Sequence, residues 1–189
     1  MKNIAIFASG SGTNAQKIME YFSGRNDINV STVLSNKKDS LVLERAKNFY
    51  VTTLAFNRED FYETNKIIDV LDDKNIDLIV LAGFLWLVPE NIIRKYPKRI
   101  INIHPALLPK YGGKGMYGMR VHQAVLESGD KKSGISIHYV NEVYDEGEII
   151  FHAICDVMPD DTPESLAKRI HELEYKHFAP VIEKLLLNT

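Results

Sequence analysis

The chain of 189 residues is long enough for one α/β unit with a sizeable core, and its composition (45% hydrophobic, 25% charged, 10% aromatic) is that of an ordinary globular protein. A formal charge of −2 gives no electrostatic reason to expect a nucleic acid or an acidic membrane as partner, and the lone cysteine, Cys155, excludes an internal disulfide and a thiolate metal cluster. No run of 18 apolar residues offers a membrane span, and "MKNIAIFASG" is broken too soon by Ser and Gly for a signal peptide, so a cytoplasmic chain of one domain is expected.

In chain order, "IAIFA" (4–8) reads as a buried strand and leads through "SGSGTN" into a helix over 14–22. Gly10 and Gly12 let backbone approach a ligand closely, and the helix start turns N–H groups toward an anion. Gly10, Gly12 and Ala15 satisfy a loose dinucleotide fingerprint. The second strand (28–35) then ends in "SNKKDS", with lysines where a dinucleotide site wants an acid. NAD does not fit, and NADP stays open. A single phosphate held by Gly12, Thr13 and Asn14 is the simpler reading.

Helices follow over 40–49 and 58–73 with a strand at 51–56 between them, and "IDLIVLAGF" (76–84) reads as a strand buried on both faces. A short helix over 88–96 precedes "RIINIH" (99–104). Asn102 and His104 lie at i and i+2 there and face one side, roughly 7 Å apart. They are either a satisfied polar pair in a core or the working face of a site at the carboxyl end of a strand, where open α/β sheets place ligands. The loop "HPALLPKYGGKGMYG" after them has the prolines and glycines of a shaped pocket wall.

Beyond a helix over 121–128 the pattern changes. Strands at 134–140 and 147–157 are close enough in sequence for an antiparallel hairpin. A helix over 162–187 follows, with Thr162 as N-cap and Pro163 in its first turn, and Pro180 is expected to kink or break it. The fold class is therefore α/β and Rossmann-like: a mostly parallel twisted sheet flanked by helices, with an antiparallel C-terminal hairpin and a long C-terminal helix. A single domain is expected, with about 1–98 as a phosphate- and nucleotide-binding half and about 99–189 as a catalytic and folate-facing half.

An imidazole and an amide at such a site can meet a developing oxyanion, and a carboxylate would orient the imidazole. "VNEVYDEGEII" offers Glu142, Asp145, Glu146 and Glu148, among which spacing does not choose. His138 and His152 fall in different strands, and His171 and His177 face different ways on a helix, so no metal site is expected. With no nucleophile elbow either, chemistry here would proceed without a metal or a covalent intermediate.

Asn102-Ile103-His104-Pro105, Leu107-Leu108-Pro109 and a later aspartate in the loop after "SIHYV" form a recognisable set. With "SGSGTN" and "VLAGF" (80–84), they make the chain resemble the folate-dependent formyltransferases over essentially its whole length. Within that family the glycine loop narrows the match to members that formylate the amine of glycinamide ribonucleotide in purine synthesis.

The resemblance implies direct attack of the amine on the formyl group of 10-formyltetrahydrofolate. Asn102 would donate to the oxygen of the tetrahedral intermediate. Protonated His104 would stabilise the same charge and move the proton to the leaving nitrogen, supported by Asp145. Gly12, Thr13 and Asn14 match the loop for the substrate phosphate, with Gly83 and Glu174 also on the substrate side and Glu174 on the ribose. Leu85, Trp86, Leu87 and Val88 match the stretch that grips the pterin, and Arg58 a residue near the folate tail. Trp86 stands where an arginine is common, Tyr175 where a histidine is, and Lys114 and Met116 lengthen the 110–120 loop.

Methionyl-tRNA formyltransferases carry a further domain and an RNA surface, and formyltetrahydrofolate hydrolases an additional N-terminal domain. Both are expected to fit less well, as is an NADP-dependent reductase, which leaves Asn102, His104 and Asp145 without a role. The oligomeric state, monomer or homodimer, is not written in the sequence.

Overall fold

A computed structural model describes residues 1–187. Seven strands form one sheet in the order β3-β2-β1-β4-β5-β6-β7. The strands are β1 (Lys2–Phe7), β2 (Ile28–Ser35), β3 (Thr52–Ala55), β4 (Leu78–Leu81), β5 (Ile100–His104), β6 (Lys132–Tyr139) and β7 (Ile149–Asp156). β1 to β5 pair in parallel, while β6 runs antiparallel to both β5 and β7, so the expected mixed architecture is present.

Alternation along β1 explains why the sheet is covered twice. Ile4, Ile6 and Ala8 belong to one apolar cluster, and Ala5 and Phe7 to the other. The first cluster packs beneath α1 (Thr13–Phe22), α2 (Leu41–Asn48), α6 (Met119–Ser128) and α7 (Pro163–Leu187). The second packs beneath α3 (Arg58–Tyr62), α4 (Lys66–Asp73) and α5 (Glu90–Lys95). Central parallel strands buried on both faces need apolar residues at every position, which is how they read.

Three sequence expectations are corrected. The helix expected over 58–73 is two helices, because Thr64 takes over local backbone groups: its hydroxyl donates to the Asp60 carbonyl and accepts from the Lys66 N–H. The strand expected over 76–84 pairs only from Leu78 to Leu81, and its apolar continuation through Ala82 and Phe84 turns away at Gly83, where φ is +74°. Pro180 neither breaks nor ends α7, which runs unbroken from Pro163 to Leu187. Phe178, Ala179, Ile182 and Leu186 are buried while Pro180 is exposed, so the core holds the helix on both sides of it. At its start, Thr162 Oγ1 accepts from Ser165 N and Ser165 Oγ accepts from Thr162 N, so Thr162 is the N-cap expected and Ser165 makes the cap reciprocal.

The chain winds outward from β1 to β3, then resumes at β4 on the other side of β1. The carboxyl ends of β1 and β4 therefore part at a topological switch point, where such sheets bind ligands. Ser9 N–H bonded to the Gly83 carbonyl (3.0 Å) closes the crevice floor.

Candidate active site

A cavity of about 610 Å³ opens at that switch point. It is walled by the glycine loop Gly10–Asn14, by 82–85 after β4, by the end of β5, by the 113–118 loop, and by residues of α6 and α7. Gly12, Thr13, Asn14, Gly83, Leu85, Asn102, His104, Asp145 and Glu174, all singled out from sequence, line it together. Arg58, Trp86, Leu87 and Val88 do not.

The glycine loop is shaped by one contact. Gly12 has φ +73°, and a Cβ there would lie 2.4 Å from Val42 Cγ2 on α2, so only glycine fits between the loop and that helix. Thr13 then opens α1 at the cavity edge, and Asn14 Nδ2 donates to Glu174 Oε2 at 2.9 Å. Glu174 is a buried carboxylate, 6% exposed, rather than a solvated helix charge. Burial pushes its pKa up, against the opposing pull of the Asn14 hydrogen bond and of His171.

At the opposite wall, the antiparallel register sets Asn102 beside His138. Asn102 Nδ2 donates to His138 Nε2 (3.0 Å) and, at 3.4 Å, to Asp145 Oδ1. His138 Nδ1 donates to the Tyr139 carbonyl at 2.8 Å, which leaves Nε2 bare to accept. The sequence reading gave His138 no part here. The signal lay in "SIHYV": Ser136 and His138 are also i and i+2, on the strand that pairs with the Asn102–His104 strand.

Asp145 is the one of the four loop acids that reaches this cluster. Its Oδ2 accepts from Gly113 N at 2.9 Å and lies 3.5 Å from His104 Nδ1; its Oδ1 lies 3.6 Å from His138 Nε2. Asp145 adopts φ +59°, and Gly147 packs so closely that a Cβ would lie 1.7 Å from the Tyr139 carbonyl oxygen. The loop is thus folded tightly back onto β6. Burial works to raise the Asp145 pKa, but positive charge on the adjacent His138 and His104 rings, when they carry it, and the Gly113 N–H outweigh it and hold the carboxyl below its ordinary range.

His104 is 3% exposed, and its Nε2 donates to the Tyr111 carbonyl at 2.7 Å. Nδ1 is the uncommitted nitrogen, since 3.5 Å is too long for a good hydrogen bond to Asp145. Burial is the largest influence and lowers the His104 pKa; Asp145 and the Tyr111 carbonyl push the other way without prevailing. Burial thus disfavours the charged form of the ring in the protein without ligand.

Beside the cavity, Phe7, Phe56, Phe61, Tyr62, Phe84 and Trp86 form an aromatic cluster, with the Arg58 guanidinium 5.3 Å from the Trp86 ring centre and 5.0 Å from that of Tyr62. Two backbone groups of the 85–88 stretch are already engaged: Leu85 N–H donates to Ser9 Oγ (3.1 Å), and the Leu87 carbonyl accepts from Tyr62 Oη (2.9 Å). Among the described residues, no three His, Cys, Asp or Glu side chains are placed to hold a metal ion.

Residues 2–182 match the formyl transferase family. The chain is 43% identical over 187 residues to the chloroplastic phosphoribosylglycinamide formyltransferase of Arabidopsis thaliana, covering 96% of itself and 64% of that protein. It thus spans less than two thirds of that relative's length. It is 36% identical to the phosphoribosylglycinamide formyltransferase of Haemophilus influenzae, covering 97% of itself and 86% of the relative. The crystal structure of phosphoribosylglycinamide formyltransferase from Anaplasma phagocytophilum superposes with a TM-score of 0.90 at 30% identity, over 98% of this chain and 87% of that one.

Proposed function

The chain belongs to the formyl transferase family, and on that premise we propose that it transfers the formyl group of 10-formyltetrahydrofolate to the amine of 5-phosphoribosylglycinamide. The observation that carries this reading is one cavity with an amide, an imidazole and a carboxylate at one wall and an anion-binding loop at the other. The spread supports a substrate with an amine at one end and a phosphate at the other.

At the reacting end, Asn102 donates an amide N–H to the oxygen that becomes negative as the amine adds to the formyl carbon. The 3.4 Å contact with Asp145 is the weaker of its two bonds and the one released for that oxygen. Neutral His104 accepts the proton of the attacking amine at Nδ1, which makes it an imidazolium beside Asp145. It then returns that proton to the departing folate nitrogen, so the ring ends neutral. Asp145 stabilises the charged ring in between, and His138 holds Asn102 in place from its other side. A pKa below the ordinary histidine value suits this cycle, because the ring must start unprotonated to take a proton.

At the other end, the N–H groups of Gly12, Thr13 and Asn14 receive the phosphate at the α1 N-terminus. Gly83 backbone and Glu174 lie between the two ends and serve the glycinamide and the ribose hydroxyls. The half-exposed surface of Leu85 and Trp86, backed by Phe84 and Val88, fits a flat pterin, with free backbone groups in 86–88 to bond it. The Arg58 cation at the rim of that surface suits the carboxylate tail, and Leu87 adds apolar contact. In this reading the residues before 99 supply the phosphate loop and also the pterin surface, and those after it the reacting groups, so the folate does not face the second half alone. We assign the chain to the cytoplasm on its half-buried free thiol, Cys155; among the described residues no helix is long and apolar enough to cross a membrane.

The test is a spectrophotometric assay for tetrahydrofolate release with both substrates and a control lacking the amine. Release only with the amine is expected. Release without it would make the protein a hydrolase, and no release would remove the proposal.

A further inference from the structure

Another cavity, of about 350 Å³, lies between the loop after β5 and the turn that joins α6 to β6. It shares no lining residue with the cavity described above, and the proposed reaction makes no use of its space. Leu107, Lys110 and Tyr111 wall it on the loop side, and residues 130–133 on the other. Its size is that of a small ligand pocket.

Ser133, at the start of β6, lines this cavity and is 2% exposed, and its Oγ is buried with no hydrogen-bond partner. Ser136 on the same strand shows the contrast: its hydroxyl accepts from Leu108 N and donates to the Ala106 carbonyl. A buried hydroxyl without a partner is costly where an alanine would fit, so the Ser133 hydroxyl is a donor held for something that arrives.

The charges around it say what arrives. Lys110, Lys131 and Lys132 line the cavity against one carboxylate, Asp130. That carboxylate is already engaged by Lys110 Nζ at 2.8 Å and by the Tyr111 hydroxyl at 2.7 Å. Lys132 pairs with Asp156, which does not line the cavity. Lys131 makes no ion pair among the described residues. The remaining wall is apolar: Leu107, the Tyr111 ring and the stems of the lysines. A carboxylate on an apolar body satisfies this set, whereas a compact, multiply charged anion would leave the apolar wall uncovered.

The cavity also touches the reacting end. The Tyr111 carbonyl accepts from His104 Nε2 at 2.7 Å, and Tyr111 holds φ +58°, a conformation that residues other than glycine rarely adopt. Its side chain is pinned at the far end by Ser128 and Asp130. A ligand seated against that ring bears on the carbonyl that orients His104.

We propose that this cavity is a second binding site, for a small carboxylate with an apolar body, whose occupant acts on His104 through Tyr111. The carboxylate accepts from Ser133 Oγ and pairs with Lys131, while the apolar body lies on Leu107 and the Tyr111 ring. The site stands whether or not the chain transfers a formyl group.

Benzoate is the probe, and benzamide, which has the same shape without the charge, is its control. The full chain, isotope-labelled, is titrated with each at pH 7 while backbone amide and histidine ring resonances are followed. Saturable movement of the Tyr111 and Ser133 signals is expected with benzoate, and about tenfold weaker binding with benzamide. The His104 ring should move with the same dissociation constant. Ser133→Ala and Lys131→Gln should each weaken benzoate binding about five- to tenfold, the effect of losing one hydrogen bond or ion pair to a charged group. Turnover of both variants without benzoate should stay at the wild-type level. Equal binding of the two probes, or no saturable movement at Tyr111 and Ser133, overturns the proposal. Movement of His104 that persists undiminished in Ser133→Ala places benzoate in the active-site cavity and overturns the link through Tyr111.

Discussion

Asp145→Asn removes a charge and keeps the shape, which makes it the sharpest probe of the reacting end. The carboxylate sits 3.5 Å from His104 Nδ1 and 3.6 Å from His138 Nε2. At an effective dielectric constant near 20, a unit charge pair at that separation interacts by about 5 kcal/mol. The imidazolium spreads its charge over two nitrogens, and Asn retains a dipole, so about half of that, ~2–3 kcal/mol, is the expected loss of stabilisation when His104 is charged. That is a drop in kcat of roughly 30- to 150-fold. The pH dependence carries an independent sign. Asp145 is the main influence raising the His104 pKa against burial, so its loss should lower that pKa further and move the acid limb of the kcat/KM profile to lower pH. The assay is tetrahydrofolate release from pH 5 to 9, with the His104 ring resonance titrated in parallel. Near-normal turnover with an unmoved acid limb in a folded variant would refute the role assigned to Asp145.

Other perturbations test separate parts of the site. Gly147→Ala should unseat the same loop by its clash with the Tyr139 carbonyl, lowering stability by about 1–3 kcal/mol and activity with it, as chemical denaturation and turnover would show. Trp86 is the sole tryptophan and stands half-buried in the proposed pterin surface, so its fluorescence should change on adding a folate and not on adding phosphate. Trp86→Ala, which leaves a gap among Phe56, Phe61 and Tyr62, should cost about 2 kcal/mol or more in denaturant unfolding.

The sheet was legible because its periodicities were unmixed. β1 and β5 carry apolar residues on both faces, and only strands buried twice read that way. The misreadings came where a local hydrogen bond or packing overrode the pattern: Thr64 interrupting a helical run, and buried neighbours carrying α7 past Pro180. Asn102 and His104 stood out because two polar side chains on one face of a buried strand need partners. Spacing alone did not single out their partners; only the family resemblance pointed to Asp145, and nothing pointed to His138. His138 reaches Asn102 through antiparallel register, and Asp145 reaches His104 through a tight loop, and neither distance is written in spacing along the chain. Ser133 was silent for the same reason, since what distinguishes it is an absence of bonding that only the packed structure displays.

Glu174 shows why the cavity's titratable groups belong together. Its buried carboxyl has a raised pKa, so the sign runs against stability at neutral pH: a group whose folded pKa lies above its unfolded value contributes stability at low pH that is lost as pH rises through the folded value. Keeping Glu174 ionised therefore costs the empty protein stability. Glu174→Gln should raise Tm, by about 2–4 °C for each kcal/mol recovered in a chain of this size, while raising KM for the ribonucleotide. The gain should shrink as pH falls, because the wild-type carboxyl then takes up the proton whose absence was costly. A variant that loses Tm and leaves KM unchanged would make Glu174 a structural acid held by Asn14. His104 and Glu174 share one feature: burial opposes the charged form of each, lowering the pKa of the base and raising that of the acid, so a polar ligand that pairs either charge relieves the same kind of penalty.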